Sequence, residues 1–214
     1  MTVELIIFDC DGVLVDSEIL ANEELKLALE SCGLSMTTAQ VIETFVGRSM
    51  AFVVERSQEI LGHNLPGDFL DQLQEKTFAS FERDLKPVEG ILDVLKSLTD
   101  RPQKICVASS GSFEKMALTL GLTDLNNFFD NNIFNSTQVR RGKPYPDLYL
   151  YAAHEMDMDP SCCLVIEDSL PGVQGAVAAG MEVLAYSVRG QDKSLATAGG
   201  MVFSDMKDIL KYID

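Results

Sequence analysis

Basic residues are scarce in this chain: 17 Lys and Arg stand against 33 Asp and Glu in 214 residues, a formal net charge of −16. That balance argues against nucleic acid as a partner, because binding a phosphate backbone needs a basic footprint. Histidine occurs only at His63 and His154, and no Cys/His spacing resembles a zinc site. The five cysteines are odd in number, Cys162 and Cys163 are adjacent, and Cys10 and Cys106 lie in or beside apolar runs. No extracellular disulfide framework fits that pattern, whereas buried, reduced thiols in a reducing compartment do. No apolar stretch approaches the length of a membrane span. The run Leu5-Ile6-Ile7-Phe8 is too short, and lacks the basic flank, for a secretory signal. The expectation is a soluble, cytoplasmic protein with no membrane partner.

What is present is ordinary globular composition, 46% hydrophobic and 23% charged, at a length that buries a sizeable core without disulfides or a structural metal. Apolar runs at 3–8, 104–108, 162–166 and 182–186 read as buried parallel strands, with a short one at 201–203. Helical periodicity follows at 90–98, 113–120, 146–156, 171–179 and 205–212, and Gly121 and Gly180 fall where helix stops are expected. This alternation predicts an α/β, doubly wound parallel sheet. Residues 17–86 differ, showing helical spacing throughout and no strand signal. The expected organisation is a core of 1–16 and 87–214 with an all-helical cap, 17–86, inserted after the first strand. Such an insertion would stand above the sheet edge where open α/β sheets bind ligands, as a lid.

Four short stretches fall at or just past the predicted strand ends. In Asp9-Cys10-Asp11-Gly12, two carboxylates at i and i+2 can face one ligand. Asp9 can act as a nucleophile and Asp11 as a general acid and base, while Gly12 allows close backbone approach. Ser109-Ser110-Gly111 can cradle an anion at a helix N-terminus. Lys143, between Gly142 and Pro144, carries a directed positive charge. Glu167-Asp168 can complete a hard-cation site with Asp9. Each stretch has an ordinary alternative: a solvated acidic pair, a Ser-Gly turn, a surface lysine, a helix N-cap. A calcium loop is disfavoured, because its sixth and twelfth positions counted from Asp9 hold Leu14 and Leu20 rather than Gly and Glu. An anionic substrate would also need positive charge supplied locally in a chain this acidic, which Lys143, a metal and helix N-termini can provide.

Taken together, the four stretches resemble the motifs of the haloacid dehalogenase superfamily, over essentially the whole chain. The helical insert is similar to the C1-type cap of its β-phosphoglucomutase-like branch, which includes many sugar-phosphate phosphatases. The resemblance implies a Rossmann-like core and Asp9 as nucleophile with Asp11 as general acid and base. It implies Mg²⁺ held by Asp9, the Asp11 carbonyl and Asp168, with Glu167 as an additional or outer acid. Gly12, Ser109, Ser110 and Lys143 would bind the transferring phosphoryl group. An acid at Asp11 favours phosphoryl transfer over dehalogenation. The first cap helix has Ala21 in a segment where the mutases of this branch carry a histidine, which favours a phosphatase over a mutase. The resemblance places a substrate-facing loop at Gly47-Arg48-Ser49, making Arg48 a candidate for gripping the substrate, with Glu18 and Lys76 behind it. A small phosphorylated metabolite is the expected partner, in a branch whose members are often monomers. A receiver-like signalling module, or a non-catalytic phosphometabolite-binding relative, is the alternative of a different class.

Overall fold

The computed structural model describes residues 2–46, 48–188, 190 and 192–213. The chain divides into two compact units, Ser17–Leu85 and Met1–Asp16 with Lys86–Asp214. The first is helical: α1 (Glu18–Ser31), α2 (Thr38–Phe45), α3 (Met50–Leu61) and α4 (Phe69–Asp84). Local chemistry marks its helix ends. Thr37 and Gln40 form a reciprocal capping box at the start of α2, Ser49 caps α3, and Gly62 ends α3 at φ +75°. Leu25, Leu29, Val41, Phe45, Val53, Phe69 and Leu73 form a core of this unit's own.

The second unit is built on six parallel strands, β1 (Leu5–Phe8), β2 (Lys104–Ser109), β3 (Ile133–Asn135), β4 (Cys163–Glu167), β5 (Glu182–Tyr186) and β6 (Met201–Phe203). Their order across the sheet is β3-β2-β1-β4-β5-β6. Every residue of β1 is apolar and buried, as a strand covered on both faces requires. Ile7 stands level with Cys106 on one side and Val165 on the other, and Phe8, the last residue of β1, pairs with Ile166, one residue before the end of β4. The strand order reverses between these two strands. In open α/β sheets that is where a crevice opens at the carboxyl ends.

The helices of this unit are α5 (Ile91–Thr99), α6 (Phe113–Leu122), α7 (Asp147–Glu155), α8 (Leu170–Ala178), α9 (Lys193–Thr197) and α10 (Asp208–Ile213). Small residues let α8 approach closely: a Cβ on Gly175 would lie 3.1 Å from the Tyr145 carbonyl oxygen. Two expectations need correction, and two elements are additional. β3 and α9 have no counterpart in the sequence reading, being only three and five residues long. α6 runs through Gly121 instead of stopping there, and the chain leaves it at Thr123, whose hydroxyl donates back to the Thr119 carbonyl. α10 begins at Asp208, because the Asp205 carboxylate accepts the Lys207 N–H in a preceding turn. All five cysteines are free; Cys10, Cys106 and Cys163 are buried, and Cys32 and Cys162 half-buried. Among the described residues, no helix is long and apolar enough to cross a membrane.

Candidate active site

β1 delivers Asp9 to the sheet edge, where its N–H still continues the ladder by donating to the Ile166 carbonyl at 2.9 Å. The chain then folds back on itself. The N–H groups of Leu14 and Val15 both donate to the Cys10 carbonyl, and that of Gly12 donates to the Val15 carbonyl. Gly12 has φ +76°, a conformation that side chains disfavour. The space a Cβ would take there is filled by the Asp168 carboxylate, with Oδ2 1.9 Å from the Cβ position. The acid following β4 is thereby seated against the loop following β1.

Lys143 is the electrostatic centre of the site. Its ammonium donates to Asp9 Oδ1 at 2.5 Å and to Glu167 Oε1 at 2.6 Å, and lies 5.2 Å from the centre of the Tyr149 ring. Only 5% of this side chain is exposed, so both ion pairs are formed out of water. Burial alone would lower the Lys143 pKa, but the charges of Asp9 and Glu167 outweigh it and hold the ammonium protonated well above the lysine range. Burial pushes the Asp9 carboxyl up, to about 7, with Lys143 opposing and the neighbouring Glu167 and Asp11 reinforcing the rise.

Glu167 is fully buried and hydrogen-bonded at both oxygens. Oε1 accepts from Lys143 and from the Tyr149 hydroxyl at 3.0 Å. Oε2 accepts from the backbone N–H groups of Asp168 and Ser169 and from the Ser169 hydroxyl, at 2.8–2.9 Å. Burial would raise its pKa; Lys143 and the Ser169 donors overcome that and hold it below the usual glutamate value. With this donor set, Glu167 anchors Lys143 and the turn carrying Asp168.

On the other side of β1, Ser109 ends β2 with its hydroxyl buried, accepting the Gly111 N–H at 3.1 Å. Ser110 is exposed, and its carbonyl accepts the Ser136 hydroxyl. The Asp11 carboxylate meets the Lys115 ammonium at 2.8 Å. Asp9, Asp11, Gly12, Ser109, Lys143, Glu167 and Asp168 are thus gathered at the carboxyl ends of β1, β2 and β4. Arg48, Glu18 and Lys76 stand on separate elements of the helical unit: Arg48 precedes α3, with its guanidinium 5.3 Å from the Phe52 ring centre, Glu18 opens α1, and Lys76 is exposed on α4. Gly47 lies outside the described residues.

Three side chains of the site escaped the sequence reading. Asn135 ends β3, and its amide donates to the Gly111 carbonyl at 3.1 Å, bracing the Ser109 turn. Tyr149 reads as one more core aromatic of α7. Lys115 carries a local signal, because a cation in the first turn of a helix opposes the helix dipole. Cys10, between the two acids, is buried, and burial pushes its thiol far up, away from the thiolate form.

The arrangement offers a buried carboxylate beside a fixed ammonium, with the Asp11 and Asp168 carboxylates and the Ser109 hydroxyl around it. Such a set suits a phosphoryl group and a hard cation. A sequence profile described as haloacid dehalogenase-like hydrolase matches residues 6–186. The chain belongs to this family. Relatives extend over nearly the whole length. A phosphorylated carbohydrates phosphatase of Thermotoga maritima is 30% identical, covering 98% of each chain. A 6-phosphogluconate phosphatase of Escherichia coli is 26% identical, covering 97% of this chain and 93% of its own. The crystal structure of a putative beta-phosphoglucomutase from Thermotoga maritima superposes with a TM-score of 0.84 at 28% identity, covering 99% of this chain and all of the other.

Proposed function

We propose that this haloacid dehalogenase-like hydrolase is a magnesium-dependent phosphatase that hydrolyses a small sugar phosphate through an aspartyl phosphate on Asp9. The observation that carries the reading is the Lys143 ammonium, buried and shared between Asp9 and Glu167 at the point where the strand order reverses. A lysine held there neutralises phosphoryl oxygens while leaving the Asp9 carboxylate next to the phosphorus. The names of the full-length relatives support a phosphorylated sugar as the substrate class.

In the first step an Asp9 oxygen bonds to phosphorus as the ester P–O bond breaks. The bond's electron pair leaves with the alcohol oxygen, which takes a proton from the Asp11 carboxyl. In the second step Asp11 takes a proton from water as its oxygen attacks the aspartyl phosphate, releasing phosphate and restoring Asp9. Ser109 and the N–H groups of its turn hold the phosphoryl oxygens. Among the described residues, no group of three or more His, Cys, Asp and Glu side chains is placed to hold a metal ion. Magnesium does not need one, since it takes one or two carboxylates and completes its shell with carbonyl, water and phosphate oxygens. The Asp9 and Asp168 carboxylates and the Asp11 carbonyl fit that requirement, with Asp168 seated on Gly12 beside the Asp9 loop. The ion, when bound, supplies charge neutralisation to the phosphoryl group.

The test is phosphate release from a panel of glucose 6-phosphate, 6-phosphogluconate, glycerol 3-phosphate and phosphoglycolate with Mg²⁺. Release should occur, stop with EDTA, and fall at least about a thousandfold in Asp9→Asn. No release from any of them, or an unchanged Asp9→Asn, would overturn the reading. Formation of glucose 6-phosphate from β-glucose 1-phosphate, at a rate exceeding phosphate release, would identify a mutase instead.

A further inference from the structure

Lys115 is placed where neither helix stability nor fold stability explains it. It stands in the first turn of α6, where the partial positive charge of the helix N-terminus repels a cation. Its ion pair with Asp11 is about a quarter exposed on both sides, the kind of pair that adds little to stability. The geometry around the pair is nevertheless specific. The Lys115 N–H donates to the Ser112 hydroxyl, which caps α6 and fixes the lysine's point of departure. Its ammonium meets Asp11 Oδ1 at 2.8 Å. The other oxygen, Oδ2, lies 3.6 Å from the place a Cβ would occupy on Gly111, and the Ser109 hydroxyl lies 3.4 Å from the same point. Gly111 is held in turn by Ser109 and Asn135. One oxygen of the carboxylate is gripped, and the other is turned toward the Ser109 turn.

We infer that Lys115 is a positioning residue for the reaction, holding Asp11 by Oδ1 so that Oδ2 is presented to the departing alcohol oxygen. The inference rests on the reading of Asp11 as the proton donor. The step it serves is departure of the alcohol: the P–O bond breaks, its electron pair stays on the alcohol oxygen, and the proton on Asp11 Oδ2 passes to that oxygen. A donor held in one rotamer does not have to be ordered anew at each turnover.

This role has a signature that packing or phosphate binding lacks. An alkyl phosphate needs its leaving oxygen protonated, whereas 4-nitrophenyl phosphate expels a stable anion that does not. The quantity to compare is kcat/KM, which reports only the steps through leaving-group departure and so excludes hydrolysis of the aspartyl phosphate. Wild type, Lys115→Met, Lys115→Arg, Asp11→Asn and the Lys115→Met/Asp11→Asn double variant are assayed with Mg²⁺ on 4-nitrophenyl phosphate and on the alkyl phosphate of the panel turned over fastest. Lys115→Met should lower kcat/KM about tenfold or more on the alkyl ester and less than about threefold on the aryl ester, with Lys115→Arg restoring most of the loss. In the Asp11→Asn background it should add no further loss. Equal losses on both esters, no loss on either, or full additivity with Asp11→Asn would overturn the role of Lys115 while leaving the phosphatase reading intact. A wild type that hydrolyses neither ester would instead overturn the phosphatase reading, and this inference with it.

Discussion

Glu167 shows how one side chain can organise a charged site without being its reactive group. It takes five donors on two oxygens, and the strongest is the ammonium it shares with Asp9. Its folded pKa is depressed from the ordinary 4.5, so its contribution to stability is present above that value and lost as pH falls through the lower, folded value. Lys143, raised above 10.5, keeps its contribution until the pH exceeds that value. Asp9 acts the other way: with its pKa raised from 3.8 to about 7, it costs stability as pH rises across that interval. Glu167→Gln should therefore destabilise the protein by about 3 kcal/mol near pH 7. The gap to wild type should close below pH 4.5. Urea unfolding in EDTA across this range measures it, and a gap independent of pH would contradict the account. The sequence shows Glu167 as an acid after a strand and Lys143 as a lysine between turn residues. It does not show that they meet, because 24 residues separate them. Tyr149 and Lys115 were missed for the same reason: their types are commonplace on a helix, and only their partners give them meaning.

At the scale of elements, the site is held by two glycines whose missing side chains are replaced by two consecutive acids. Asp168 fills the space over Gly12 in the loop after β1, and Glu167 fills the space over Gly172 in the first turn of α8. A Cβ on Gly172 would stand 1.7 Å from Glu167 Oε1. Neither partner can yield easily: Glu167 is tied to five donors, and the Gly172 N–H donates to the capping Ser169 hydroxyl. Gly172→Ala should therefore cost more than about 3 kcal/mol, by expelling a buried, paired carboxylate. Gly121→Ala, inside α6 with nothing within 4 Å of its Cβ position, should instead stabilise by about 0.5–1 kcal/mol. Chemical denaturation of the two variants checks both signs, and a tolerated Gly172→Ala would show that the Glu167 anchor is dispensable to the fold. The same comparison explains the misplaced helix stop. Glycine at a helix end and glycine within a helix look alike in sequence, and the difference is whether φ turns positive, as at Gly180 and not at Gly121.

For the molecule as a whole, the governing quantity is the charge of −16. Like charges spread over one chain repel in the compact state, and salt screens that repulsion. The unfolding temperature in EDTA at neutral pH should therefore rise by a few degrees between low salt and about 0.5 M NaCl. A flat or falling curve would mean that the attractive pairs, such as Lys115 with Asp11 and Arg141 with Asp147, dominate the balance.

Hydrophobic runs and their spacing were enough to make the core a parallel α/β sheet, since buried strands and amphipathic helices carry periodicities that local sequence records. The same runs put Asp9, Ser109 and Glu167 at strand ends. Edge strand β3 and helix α9 were not legible, because three to five residues are too few for a period to emerge. Strand order was decided only by tertiary structure. It takes the reversal between β1 and β4 to bring Asp9, Asp168 and Lys143 together, and long-range pairing of that kind leaves no trace in local spacing. The direction in which each charge acts was decided there too, for burial and the identity of the nearest opposite charge exist only once the chain has folded.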